Sequence, residues 1–313
     1  MATMCFTPIL GKIIRATELD DCGNVPAAAT ANSAVITDGF ISVTLSAEVD
    51  DGAEIITKTA SGALCVNEKL PNNFKRFTAE IQFCAVNPSL LAFMTNAEEY
   101  ENYDSDVAGF TVPEGVIDKK FALELWTGLS GAACSTGATY DGGYVLLPFV
   151  NAGILGDIEV NGENAISFSM TGAYTRGGNN WGVGPYNVIY DDGTPAVPSP
   201  LPTALDALDH LLLIETTFPP PASSCDPVPM PPYITLITPA TGPAAGGTPV
   251  TITGVGFTGA TGVDFDTDAG TDFAVVDDST ITVTAPAHAA GAVDVTVTMA
   301  GGDAVLAGGF TYS

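Results

Sequence analysis

From Lys75 onwards the chain alternates: Phe77, Ala79, Ile81, Phe83 and Ala85 fall on one side, Thr78, Glu80, Gln82 and Cys84 on the other. This period of two predicts a strand with one buried and one polar face. Asn87-Pro88-Ser89 follows, where Asn caps a helix and Pro suits its first turn. Leu90, Leu91, Phe93 and Met94 then predict a short helix lying back on the apolar face, ahead of an acidic loop carrying Glu98, Glu99, Glu101, Asp104 and Asp106.

The same reading predicts strands over Val35–Val49, Glu54–Thr59, Ala63–Val66, Lys119–Thr127, Tyr144–Val150, Gly156–Val160, Ala165–Thr175 and His210–Phe218. Asn161-Gly162 carries a strong hairpin-turn signal. Residues 1–30 read as an arm with little core of its own, suited to reaching a neighbouring subunit, with a strand expected over Leu10–Ala16. The Pro-rich tract 219–232 reads as a semi-extended linker between a first domain, 1–218, and a second, 233–313. Beyond Tyr233, seven short strands separated by Gly/Pro turns predict a small antiparallel sandwich.

Charge narrows the function. The 313 residues carry 36 acidic and only 9 basic side chains, a net charge of −27. A chain this acidic is not built to grip phosphates, although nucleic acid can pass it without sticking. No run reaches the ~18 apolar residues of a membrane span, and the start MATMCFTPILGKII lacks the features of a signal peptide. Assembly in a cytoplasm is the expectation, with free or buried thiols for Cys5, Cys22, Cys65, Cys84, Cys134 and Cys225.

Catalytic signals are weak. His210 and His288 stand without a nucleophile or phosphate-binding motif around them, and no enzymatic role, cofactor or metal is expected. Asp264-x-Asp266-x-Asp268 has Ala269 and Val275 where a calcium loop needs Gly and Glu, so alternating surface Asp is the simpler account.

The run PATGPAAGGTPVTITGVGF, from Pro239 to Phe257, resembles the IPT/TIG family of immunoglobulin-like domains, as do Gly259-Ala260-Thr261, DSTITVTAP (278–286) and Phe310-Thr311-Tyr312. Asp266 departs from that pattern, where the family often has Gly. Residues 1–230 resemble the major tail proteins, or tail tube proteins, of long-tailed phages of actinobacteria. The resemblance rests on the arm, the long amphipathic strands, the Asn87-Pro88 helix and the closing DHLLLIETTFPPP.

The expected architecture is therefore mainly β: a barrel-forming tail-tube sandwich with a short helix, plus an Ig-like sandwich. The resemblance implies homo-hexameric rings that stack into a tube inside the virion. It also implies contact with a tape measure and a tail terminator, and passage of genomic DNA without specific binding. On that reading Glu48, Glu80, Gln82 and Glu124 face the lumen and repel phosphates, while the acidic loop after the helix serves ring stacking. The competing class is a virion or cell-surface adhesin whose Ig-like domain binds host-surface glycans. An enzyme ranks last.

Overall fold

A computed structural model describes residues 8–25, 33–84, 87–129, 142–159, 167–177, 181–186, 188–190, 198–224, 226–228, 232–299 and 303–313. The Asn161-Gly162 turn, Cys5, Cys134 and Cys225 lie outside these residues.

The chain opens with β1 (Pro8–Leu19), β2 (Ala34–Thr37), β3 (Phe40–Asp50), β4 (Glu54–Lys58), β5 (Leu64–Lys69) and β6 (Asn73–Phe83). Helix α1 (Pro88–Met94) leads to β7 (Glu98–Glu101), β8 (Val107–Thr111), β9 (Lys120–Leu129), β10 (Gly142–Asn151) and β11 (Ile154–Glu159). Then come β12 (Ser167–Thr175), β13 (Ile189–Tyr190), β14 (Pro198–Ser199) and β15 (Leu212–Thr216). Nine of these strands form one sheet, ordered β2-β1-β9-β10-β12-β6-β3, with β11 on β12 and β15 on β10.

The alternation in β6 sets one core. Ala79, Ile81 and Phe83 point inwards against Leu90 and Met94 of the helix, beside Ile14 and Ala16 of β1 and Phe121 and Leu123 of β9. Asn87 caps the helix, its Oδ1 accepting from the Leu90 amide at 3.1 Å. At the other end Lys119 Nζ donates to the carbonyls of Ala92 (2.6 Å) and Ala97 (2.9 Å), supplying partners near a helix terminus. A second core lies across the same sheet, where Ala122, Trp126, Tyr144, Leu146 and Phe149 meet Leu19, Val25, Trp181, Tyr186 and Leu201. Strands β9 and β10 are thus buried on both faces.

Three expectations change here. Residues 8–19 are no arm: β1 sits between β2 and β9, with Ile14 and Ala16 fully buried, while 1–7 and 26–30 lie outside the described residues. The acidic loop is a hairpin, β7 paired with β8, its turn held by Asn102 Oδ1 accepting from the amides of Asp104 and Asp106. The Pro-rich tract is not merely a spacer. Val228 and Ala34 exchange backbone hydrogen bonds of 2.7 and 3.2 Å, and the Ser224 amide donates to Ile36 at 3.1 Å.

The C-terminal unit contains β16 (Tyr233–Thr238), β17 (Thr241–Gly242), β18 (Pro249–Val255), β19 (Ala260–Phe265) and β20 (Asp268–Ala269). It continues with β21 (Thr271–Asp277), β22 (Thr280–Thr284), β23 (Gly291–Met299) and β24 (Ala304–Tyr312). One sheet runs β16-β18-β22-β21 and the other β17-β24-β23-β19-β20, closing on Ile252, Phe257, Phe265, Ile281, Val295 and Phe310. The two strands beyond the seven expected, β17 and β20, have two residues each. Gly254 is required by crowding, since a Cβ there would strike the Tyr233 carbonyl and the Phe257 ring. Asp266 takes φ 56°, so it keeps the left-handed turn that Gly would supply. The protein is mainly β, with a C-terminal Ig-like sandwich.

Candidate assembly surface

Strands β3 and β6 leave the core together. Leu45 and Ala79 still pack inside, but Ser46, Ala47, Val49 and Asp50 on β3 and Asn73, Phe74 and Lys75 on β6 are exposed. The ribbon continues into the β4–β5 hairpin, in which every residue is exposed. At the junction Gly52 lies so close to Leu70 that a Cβ would overlap the Leu70 carbonyl, and its amide donates to Asn72 Oδ1 at 3.1 Å.

This ribbon displays Val49, Ile55, Ile56, Leu64, Val66, Leu70 and Phe74, each between 41% and 56% exposed. Singly exposed apolar residues need no explanation, but seven along one ribbon make it the candidate interaction surface. Strand β3 also ends the strand order of the sheet, so among the described residues its outer backbone edge has no strand partner.

The four residues expected in a lumen do not share one environment. Glu80 and Gln82 are exposed on the polar face of β6, opposite Thr44 and Ser42. Glu48 lies on the ribbon and bonds Arg76 Nε at 2.5 Å, with Lys75 at 3.5 Å. The Arg76 hydrogen bond holds its carboxyl below the usual range, and Arg76 itself stacks over the Tyr174 ring.

Glu124 is a correction. It is fully buried, and Arg15 on the neighbouring strand grips it through Nε (2.5 Å) and Nη2 (2.6 Å). Tyr144 donates its hydroxyl to the same carboxylate at 2.6 Å, and Arg15 stacks over the Tyr186 ring. Burial, then the Glu124 charge, raises the Tyr144 pKa well above the ordinary tyrosine value. Burial alone would lower the Arg15 pKa, but the Glu124 carboxylate together with Tyr186 and Tyr144 more than reverses this. Glu124 therefore faces a satisfied internal network and no wet channel. Its strand, FALELWT, is buried on both faces, and Ala122 and Trp126 flanking Glu124 on the same face were the available signal.

The β7–β8 hairpin places Glu98, Glu99, Glu101, Asp104 and Asp106 in solvent together with Tyr100 and a fully exposed Tyr103. The sequence has no basic residue between Arg76 and Lys119. On the helix Leu90, Leu91 and Met94 are buried and Phe93 half-buried.

The remaining candidates are scattered. His210 Nδ1 lies 2.7 Å from Thr175 Oγ1, and burial lowers its pKa. His288 sits in the Ig-like unit, its pKa raised first by its bond to the Ala289 carbonyl. Among the described residues no three His, Cys, Asp or Glu side chains are grouped to hold a metal, Asp264, Asp266 and Asp268 included. Cys22, Cys65 and Cys84 are free and exposed. No helix among these residues is long and apolar enough to cross a membrane.

No curated protein matches this chain. One solved structure, described as the Bacteroides ovatus mixed-linkage glucan utilization locus SGBP-B in complex with mixed-linkage heptasaccharide, aligns with 90% of this chain. The chain spans 64% of that structure's length, at 14% identity and a TM-score of 0.21. A superposition this poor carries no argument about function. Residues 232–313 match the family model of the IPT/TIG domain, so the C-terminal unit of this chain is an IPT/TIG Ig-like domain.

Proposed function

We propose that this chain is a structural subunit that polymerises with copies of itself, as the tail tube subunit of a long-tailed phage, with the Ig-like domain displayed outside. The observation that carries the reading is the projecting β3–β6 ribbon, whose seven exposed apolar residues run beside a sheet edge that has no strand partner among the described residues. A subunit whose partners are copies of itself keeps such an edge open, because a ring of copies closes it. Stacked hexameric rings, contacts with tape measure and terminator proteins, and ring stacking by the acidic hairpin belong to this proposal. The lumen face now rests on Glu80 and Gln82, of which Glu80 alone is acidic, since Glu124 is buried and Glu48 is held by Arg76.

The test is electron microscopy of the purified protein across a concentration series, with sedimentation in parallel. Rings or tubes support the reading. Dispersed monomers throughout would end it.

A second reading is a carbohydrate-binding surface protein, supported by the IPT/TIG match. Sugars are commonly held on exposed aromatic faces, yet the exposed large apolar side chains of this unit are Leu236, Val275 and Val276, with no aromatic among its described residues. Tyr100 and Tyr103 on the β7–β8 hairpin, with Phe74 on the ribbon, are the exposed aromatics among the described residues of the first part. Binding of soluble glucans by the monomer, lost on Tyr103→Ala, would favour this reading over assembly.

A further inference from the structure

Two hairpins of the first part carry unpaired charge of opposite sign. Strands β4, β5 and β7 are exposed at every residue. We infer that the β4–β5 hairpin of one copy docks on the β7–β8 hairpin of a second copy, lysines against carboxylates with an apolar contact between them.

The basic side chains single out β4–β5. Arg15, Lys75, Arg76 and Lys120 are held by carboxylates, and Lys119 by two carbonyls. Lys58 and Lys69 are exposed and make no ion pair among the described residues, although the chain holds 36 acidic side chains. The register sets Glu54 opposite Lys69 and Ile56 opposite Asn67. The period of two along β4 adds Lys58 to that face. One face therefore presents Ile56 flanked by Lys58 and Lys69, two lysines against the single carboxylate of Glu54.

The β7–β8 hairpin is the counterpart. Glu98, Glu99, Glu101, Asp104 and Asp106 are exposed and make no ion pair among the described residues. Phe110, opposite Glu99, turns one face towards the core, where its ring meets Phe168. The other face carries Glu98 and Tyr100. Opposite Tyr100 stands Gly109, with open space where a side chain would otherwise reach, and Tyr100 is 60% exposed.

Each hairpin thus offers an apolar centre rimmed by charge, the anatomy of a protein interface. Complementary charge fixes register and speeds encounter, whereas like charges set against each other are costly. The β7–β8 hairpin has no base with which to meet its own copy, and Lys58 and Lys69 are the cations left for it. Ile56 would meet Tyr100 away from water, so a lysine in its place would be desolvated at the centre instead of paired at the rim. A contact between two different hairpins is heterologous: every joined copy keeps one of each to offer, until a ring closes.

This inference rests on the self-assembly reading, and its test separates the two. One full-length variant carries Lys58→Glu with Lys69→Glu, the other Glu98→Lys with Asp104→Lys. All four side chains are exposed, so both variants should unfold at the parental temperature. Light scattering against concentration gives the onset of assembly. Each variant alone should raise that onset by about tenfold or more. An equimolar mixture should assemble near the parental concentration, because each variant then meets its complement. Parental onset in either variant alone, or loss in both without recovery on mixing, would overturn the docking while leaving self-assembly standing. A parent protein that never assembles would instead end the reading beneath it.

Discussion

Arg15 and Glu124 face each other on paired strands with both side chains buried, joined by two hydrogen bonds of 2.5 and 2.6 Å. Removing one partner leaves an uncompensated charge inside the sheet. Glu124→Ala is expected to lower stability by about 3–5 kcal/mol. The double change Arg15→Met with Glu124→Leu should recover most of that loss, because no charge then remains to be solvated. Denaturant midpoints of the three proteins check this. Equal losses in the single and double variants would mean that the pair is not the cause.

The ribbon makes the opposite prediction. Ile56 and Val66 lie in solvent in the isolated subunit, so Ile56→Lys with Val66→Lys should leave unfolding within about 0.5 kcal/mol of the parent. Self-association should fall by tenfold or more, measured by sedimentation. Assembly at the parental concentration would remove the ribbon from the interface.

Acid acts on the same ribbon. Glu48 has a folded-state pKa below its unfolded value, so its pairing with Arg76 contributes stability above the ordinary carboxylate range of about 4.3 and loses it as pH falls through the folded value. Glu48→Gln cannot titrate. The parent should therefore exceed this variant in stability near neutral pH, with the gap closing at lower pH. A gap independent of pH would show that the charge of Glu48 is not what matters.

Asp266 tests the Ig-like unit alone. Its φ of 56° is open to Asp and Gly but strained for branched side chains. Asp266→Gly should fold with little change, whereas Asp266→Val should cost about 1–2 kcal/mol. Thermal unfolding distinguishes the two, and equal melting temperatures would show that the turn relaxes.

What the sequence revealed depended on how many faces of an element are buried. In β6 one face is wet, so Ile81 and Phe83 stand out against Glu80 and Gln82, and the inward face is legible. The cap on the helix was equally legible, because Asn87 acts within three residues of its own position. Strand β9 is covered on both sides, and there a lone Glu124 reads as solvent-facing when its partner Arg15 lies 109 residues away. The docking of the connector was hidden for a related reason. Its contacts are backbone amides of Ser224 and Val228, which leave no mark in side-chain chemistry. The Ig-like unit was the most readable part, since its turns need Gly at fixed places and Gly246, Gly247, Gly256 and Gly259 all take positive φ.

The position of β1 bears on when the subunit can exist at all. Made before both of its strand partners, it finds only the four-residue β2 within short reach, at Ile14 to Thr17, while its long partner β9 ends at Leu129. A growing chain must therefore carry Ile13 and Ile14 on a half-paired strand until more than a hundred further residues have been made. Pairings of such separation fold slowly, on the millisecond-to-second scale, and expose strand edges meanwhile. If copies assemble as proposed above, the hazard is greatest in the nascent chain, before β1 and β9 have paired.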